Sequence, residues 1–369
     1  MNIAHSLFLE LLTAAIWNRP ANSERFQHID TAVWEKIIEL SIAQKVNALI
    51  YDGVMSLPQA FHPEKKIIYK LHLQAETIEA SNRSINNVLK KLSAEYKQLA
   101  CPFVLLKGQA NAMLYPNPLH RTPGDIDVYL YQKGDYEKTN NWAREQGFKM
   151  DAENIHHQSF EYEGIHIENH KNITYFGIVK YDRLLEKKIQ EIITNSDFIS
   201  VHIDELPVRV LPIEFNAFFI FQHLFHHFIH LGVGIRQFCD WVLFFDTYST
   251  QINKERFNSL VADFGLLNAM QVFASVAVKY MGTKASIFPF STDTQGKYVD
   301  LVMHDIFRGG SFGYSVFQNK RFRNSLHRKW HSFACTISRL QKIYGIAPRH
   351  TITLPLNKVV TNIKLLFKK

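Results

Sequence analysis

The constraint that bears hardest on this chain is a change of hydrophobic period along its length. Up to about residue 95, apolar residues recur at helical spacing, as in Leu7, Phe8, Leu11, Leu12, Ala15 and Ile16, and again in Val33, Ile37 and Leu40. That spacing predicts amphipathic helices. A stretch from about Glu64 to Gln98 has few breakers, and Pro102 ends helical character. From about 101 to 175 the period becomes two. Phe103 to Leu106 reads as a short buried strand, Lys107-Gly108 breaks it, and Gln109 to Tyr115 reads as a short helix. Pro116, Pro118 and Pro123 make 116–124 a loop. Gly124 to Tyr131 alternates, and Asp135 as N-cap and Gly147 as stop bound a helix. His157–Tyr162 and Ile165–His170 alternate around Glu163-Gly164, the pattern of a hairpin. From about 180 helices return, over Phe215–Ile235 and Arg236–Tyr248, with one short strand at Val208–Leu211. The expected divisions are 1–98, 99–205 and 206–369, and 369 residues suffice for two or three units with their own cores.

Composition narrows the class. Hydrophobic residues make up 46% and charged residues 21%, which excludes a disordered chain. Cys101, Cys239 and Cys335 are odd in number and show no CxxC pairing, so a disulfide framework and a zinc ribbon are not expected and a cytoplasmic location is. The segment Met1–Trp17 lacks the basic start and continuous apolar run of a signal peptide. Phe215–Ile235 is interrupted by Gln222 and four His, so it reads as a buried helix rather than a membrane span. The net charge of +8 suits a polyphosphate, a nucleic acid or an anionic membrane surface without choosing among them.

The chemistry concentrates in Phe103-Val-Leu-Leu-Lys-Gly108 and Arg121-Thr-Pro-Gly-Asp125-Ile-Asp127-Val-Tyr-Leu130. Strand alternation puts Asp125 and Asp127 on one face, roughly 7 Å apart, and Ile126, Val128 and Leu130 on the other. Two like charges there call for a compensating cation, and a hard divalent ion such as Mg²⁺ prefers oxygen ligands. In Ile165-His-Ile-Glu168-Asn-His170 the polar set His166, Glu168 and His170 shares a face. If that strand neighbours the first, Glu168 becomes a third carboxylate, and three carboxylates can hold two metals for phosphoryl or nucleotidyl transfer. Gly108 permits close approach of backbone to a phosphate, and the helix start that follows offers free N–H groups. Lys107 and Arg121 add positive charge. No Walker A sequence occurs, and Gly232-Val-Gly234 lacks the context of a dinucleotide fingerprint.

With these residues in place, the run Leu105-Leu-Lys-Gly108, Tyr115-Pro116, Arg121, Gly124-Asp-Ile-Asp127, followed by Glu168 and His170, resembles an uncharacterised bacterial nucleotidyltransferase family of the DNA-polymerase-beta-like superfamily, often encoded in polysaccharide gene clusters. The resemblance extends to Gly234-Ile-Arg236-Gln-Phe-Cys-Asp240-Trp241 and to Gly309-Gly-Ser-Phe-Gly313. It implies an α+β fold: a small mixed β-sheet nucleotidyltransferase core at 99–205, flanked by N-terminal and C-terminal helical regions. It also implies Mg²⁺ dependence, with Mn²⁺ as a substitute, and transfer of a nucleoside monophosphate from a nucleoside triphosphate. Asp125, Asp127 and Glu168 would be the catalytic metal ligands, and Lys107, Gly108, Gln109, Arg121, Gly124 and Arg236 the nucleotide-binding residues. Superfamily members usually carry Gly-Ser or Gly-Gly at the phosphate turn, where this chain has Gly108-Gln109.

The favoured acceptor is the hydroxyl of a sugar or glycan precursor, with a protein hydroxyl second, as in AMP-transferring enzymes; nucleic acid is not expected. A different class of reading is a catalytically silent nucleotide-binding or membrane-adaptor protein, motivated by Gln109 and by the basic tail Lys364–Lys369, which allows peripheral membrane contact. The segment Lys320–His331 mixes basic and aromatic residues and reads as a solvated helix face or as an RNA or phospholipid contact. His223, His226, His227 and His230 form two i,i+4 pairs, a spacing that zinc can use. No Cys or carboxylate completes that face, so His223 and His227 are expected to face the cleft. Arg236 and Asp240, also i,i+4, read either as a helix ion pair or as an arginine reaching a phosphate.

Overall fold

Helical periodicity and side-chain caps fix the N-terminal elements. Helix α1 (Ile3–Ile16) begins where the side chain of Asn2 accepts from the backbone of His5, and α2 (Thr31–Ala43) where Asp30 accepts from Val33. A short α3 (Asn47–Met55) follows, then the 34-residue α4 (Lys65–Gln98). The buried stripe of α4 runs Ile67, Leu71, Ala75, Ile78, Asn82, Ile85, Leu89, Leu92 and Tyr96, steps of three and four that keep one face inward. The computed structural model describes residues 2–152, 154, 156–230, 232–292, 296–309 and 337–353.

The period-two block forms one four-stranded sheet. Its strands are β1 (Phe103–Leu105), β2 (Ile126–Leu130), β3 (His157–Tyr162) and β4 (Ile165–His170), in the order β1-β2-β4-β3. β2 is antiparallel to β1 and parallel to β4, and β3 and β4 are antiparallel, so the sheet is mixed. Between β1 and β2 lies the single turn α5 (Gln109–Ala112), shorter than the helix to Tyr115 expected from the sequence. Helix α6 (Asp135–Glu145) joins β2 to the β3–β4 hairpin. Gly134 in the left-handed region takes the cap position, and Asp135 sits in the first turn instead. The hairpin turns at Glu163 and Gly164, both with positive φ (48° and 77°), the conformation a tight two-residue turn requires.

Helix α7 (Val179–Asn195) leads to a second, two-stranded sheet of β5 (Ile199–Ile203) and β6 (Leu206–Val210). The sequence reading found only a strand near β6 and passed over β5, although Ile199, Val201 and Ile203 alternate there with Ser200 and His202. The C-terminal helices are α8 (Ile213–His230), α9 (Ile235–Tyr248), α10 (Lys254–Asp263), α11 (Leu267–Met281) and α12 (Gly296–Gly309), with further helical turns at 337–343 and 348–353. α8 stops at His230 rather than Ile235, before the Gly232-Val-Gly234 break. α12 is described as far as Gly309; 310–313, the basic-aromatic segment 320–331 and the tail from 358 lie outside the described residues.

The chain is thus α+β, with a small mixed sheet between helical flanks. Its apolar residues gather into two large clusters. One holds α1–α3 together with α7–α12, so the N-terminal and C-terminal helices share a core rather than each closing its own. Trp17 Nε1 donates to Met281 O, and the Gln44 side chain bridges Ile306 O and the amide of Ile235, tying the two ends of the chain together. The second cluster lies on one side of the sheet, where Ile126, Val128, Leu130, Phe160 and Ile167 meet the distal half of α4 and Trp142 of α6. α4 belongs to both clusters and so sets the sheet against the helical body. Among the described residues no single helix is long and apolar enough to cross a membrane.

Candidate active site

Parallel pairing of β2 with β4 decides where the acids meet. The register sets Asp127 beside Glu168 and Ile126 beside Ile167. Period-two alternation then sends Asp127, Glu168 and His170 to the face opposite the Ile126–Ile167 core. Asn169 points the other way, into a buried network in which Tyr96 donates to its carbonyl at 2.8 Å and its amide donates to Asn140 at 2.9 Å. Asp125 stands just before β2 and is exposed. Asp125, Asp127 and Glu168 line one cleft of about 480 Å³, a size suited to a small-molecule ligand.

Lys107 and Gly108, at the end of β1, and Arg121, Gly124 and Arg236 line the same cleft. Gly108 has φ +63° and ψ −112°, a conformation that glycine adopts without strain and that a side chain would disfavour, with Asp125 O 3.4 Å from where a Cβ would stand. α5 is one turn long, so little helix dipole develops at this bend.

The acids differ electrostatically. Burial alone would raise the Asp127 carboxyl, but Lys107 Nζ at 3.2 Å and His170 Nε2 at 3.1 Å hold it below the ordinary range. Asp125 is raised, first by desolvation and then by the charges of Asp127 and Glu168, and no cation lies within 4.0 Å of it among the described residues. His170 also touches Glu168 Oε2 at 3.1 Å; burial opposes its charge, but the two carboxylates raise its pKa. On the helical wall, burial and neighbouring charges push His227 down to about 4 and His226 to about 3, and His223 falls well below the usual range. These rings are neutral at pH 7. His223 and His227 line the cleft as expected, with ring centroids 4.5 Å apart, but they join no group of three metal-ligating side chains among the described residues.

Three expectations change. Gln109 does not face the cleft: its amide donates to Asn82 and Asn86 of α4 at 3.2 and 2.6 Å, anchoring the bend from behind. Arg121 is not a free cation. Its Nε and Nη2 both donate to Asp240 at 2.8 Å, and the Tyr115 hydroxyl donates to the same carboxylate at 2.7 Å. Asp240 therefore pairs with Arg121 rather than with Arg236 one turn before it. Arg236 instead donates from Nη1 to Thr122 O and Pro123 O, while its buried Nε finds no partner.

The loop before Asp125 is held from the N-terminal side as well. The Asn82 amide donates to Leu119 O and Arg121 O, and His120 is clasped between Asp52 at 2.7 Å and Glu79 at 2.9 Å. The sequence reading missed these anchors, since nothing local marks a helix side chain that binds a loop 37 residues away. It also missed His157, which faces His170 across the hairpin. That pairing follows by counting outwards from the Glu163-Gly164 turn, so the signal was present.

Residues 30–282 match the sequence profile of a family described as "Uncharacterised nucleotidyltransferase". Among solved structures, an antigenic nucleotidyltransferase-like protein from Paracoccidioides brasiliensis aligns with 54% of this chain and 92% of its own, at 10% identity and a TM-score of 0.33. No curated protein matches the sequence.

Proposed function

The chain belongs to the uncharacterised nucleotidyltransferase family, and from that premise we propose that it transfers a nucleoside monophosphate from a nucleoside triphosphate to a hydroxyl acceptor in the cleft of Asp125, Asp127 and Glu168. The observation that carries this reading is the register of Asp127 against Glu168, which adds a third carboxylate to the aspartate pair. The donor set suits a hard divalent cation, Mg²⁺ or Mn²⁺. Three carboxylates gather where, among the described residues, Asp125 has no cation within 4.0 Å and is raised by burial and by its like-charged neighbours. Asp125, Asp127 and Glu168 would hold it, and when bound it would neutralise charge on the phosphates and the attacking oxygen.

The chain's own residues then act on the substrate. Lys107 offers its ammonium to the phosphates, and the open bend at Gly108 lets backbone N–H groups approach them. Arg236, which lines the cleft, adds a second positive charge on the phosphate side. Glu168 receives the acceptor's hydroxyl proton, the acceptor oxygen forms a bond to the α-phosphorus, and the bond to pyrophosphate breaks. Rate enhancement comes mainly from positioning and charge neutralisation. Gln109 is turned away from the cleft onto α4, so any phosphate contact at this turn falls to the backbone and to Lys107.

The test is pyrophosphate release from Mg²⁺-bound nucleoside triphosphates by the wild type and by Asp125→Asn/Asp127→Asn. Release should vanish in the variant, and unchanged release would refute the site. For the acceptor we favour a sugar or glycan precursor, with a protein hydroxyl second. Labelled ATP in lysate separates them: label in a small molecule supports the first, and a labelled protein band the second.

A further inference from the structure

The same cleft contains a donor set of a different chemical kind. His157 and His170 are directly opposed in the β3–β4 ladder, and Glu168, two residues before His170, projects from the same face. One ligand atom from each of His157, Glu168 and His170 lies within 4.8 Å of the other two. His170 Nε2 is 3.1 Å from Glu168 Oε2, and His157 Nε2 is 3.8 Å from Glu168 Oε1. The two rings approach different oxygens of the Glu168 carboxylate, and His170 Nε2 is also 3.1 Å from Asp127 Oδ1. A shared ion, with a tetrahedral edge of about 3.4 Å at bonds of about 2.1 Å, would therefore draw one Glu168 oxygen between the rings and replace the Asp127 contact. The two imidazole rings, with centroids 5.0 Å apart and planes at 49°, are neither stacked nor far enough apart to exclude a shared ion.

From this geometry we infer that His157, Glu168 and His170 form a binding site for a borderline divalent metal of the zinc class, distinct in ligand type from the all-carboxylate position beside it. Two imidazoles and one carboxylate select Zn²⁺, Co²⁺ or Ni²⁺ over Mg²⁺, which prefers oxygen and keeps its waters. Three protein ligands at the edge of an open cleft leave a fourth position for water or a cleft ligand, the arrangement of non-structural zinc sites. Rigid strands supply all three ligands, so two of the spacings are set by the ladder itself. The inference does not require nucleotidyl transfer. It does predict competition, because Glu168 belongs to both positions.

The test uses the full chain, stripped with chelator and titrated with Co²⁺ while visible absorption is followed. The wild type should show the bands of low-coordinate Co²⁺, abolished by Zn²⁺ and retained in a large excess of Mg²⁺. His157→Gln should weaken Co²⁺ binding by at least about tenfold, since even outer-shell changes cost about 10–100-fold. His166→Gln, whose ring reaches Glu168 only at 4.0 Å, should not. A measurement without substitutions accompanies these: Zn²⁺ should protect His157 and His170 of the wild type from chemical modification, read by mass spectrometry. Asp125→Asn should keep the Co²⁺ bands while losing pyrophosphate release, which separates this site from the catalytic reading. Absence of bands in the wild type, bands undiminished in His157→Gln, displacement by Mg²⁺ at equal concentration, or no Zn²⁺ protection would each overturn the inference.

Discussion

Two sets of ionised groups border the cleft, and they are built on opposite plans. Arg121 and Asp240 are both buried, meet through two hydrogen bonds of 2.8 Å, and have a hydroxyl from Tyr115 completing the carboxylate. Charge and hydrogen-bonding capacity close within the set, and its product is a rigid tie between the loop at 121 and α9. Among the described residues, Lys107 and His170 lie 3.1–3.2 Å from Asp127 or Glu168, His157 and His166 reach Glu168 only at 3.8 and 4.0 Å, and Asp125 has no cation within 4.0 Å. A closed pair holds structure, whereas an open excess of like charge is tolerable only where something else is to be bound. The comparison teaches that in this protein the arginine nearest the Gly-Asp-x-Asp turn is a brace, and that surplus charge marks the candidate chemistry.

The sharpest way to break that contrast is Asp125→Asn. Loss of charge stabilisation worth several kcal/mol should lower pyrophosphate release by about a thousandfold. Thermal melting of the metal-free variant should be unchanged or improved, because a carboxylate raised by burial and by like-charged neighbours is a liability in the folded state. A marked fall in melting temperature would contradict the open-site description. Arg121→Met should do the reverse and cost about 3–5 kcal/mol of stability by stranding the buried Asp240, measured by urea unfolding. The paired change Arg121→Met/Asp240→Leu should recover part of that loss.

Gln109→Ala should cost about 1–3 kcal/mol, since it leaves the buried side-chain carbonyl of Asn82 without its donor. Affinity for Mg²⁺-bound triphosphate should be retained on calorimetry, and a large drop would return Gln109 to the cleft. The smallest effect concerns His120. Burial works against its charge, but Asp52 and Glu79 raise its pKa above the ordinary 6.5. Its stabilising contribution is therefore complete below pH 6.5 and fades as pH rises through the higher folded value. Urea midpoints should fall across that window in the wild type, and His120→Gln should flatten the dependence.

The sheet was largely legible because alternation is a local signal. Ile126, Val128 and Leu130 against Asp125 and Asp127 announce a one-sided strand, and Glu163-Gly164 announces the hairpin that carries Glu168. β5 was missed although Ile199, Val201 and Ile203 alternate with Ser200 and His202, so its local signal was present. The roles of Gln109 and Arg121 were misread for a different reason. Their partners, Asn86 and Asp240, lie 23 and 119 residues away. A polar side chain beside a glycine turn looks the same in sequence whether it faces a ligand or a supporting helix.

The sequence by itself determined which residue types could meet: an acidic pair of fixed spacing, a third acid on an alternating strand, and a glycine bend after an apolar strand. These follow from backbone geometry, which repeats every two residues in a strand whatever surrounds it. Only the tertiary structure decided that β2 and β4 run parallel with Asp127 beside Glu168, that Arg121 is neutralised, and that the His157–His170 end of the hairpin lies against Asp127. Those outcomes depend on which faces are left to pack after long-range burial is satisfied, and burial of that kind is a property of the whole chain rather than of any segment.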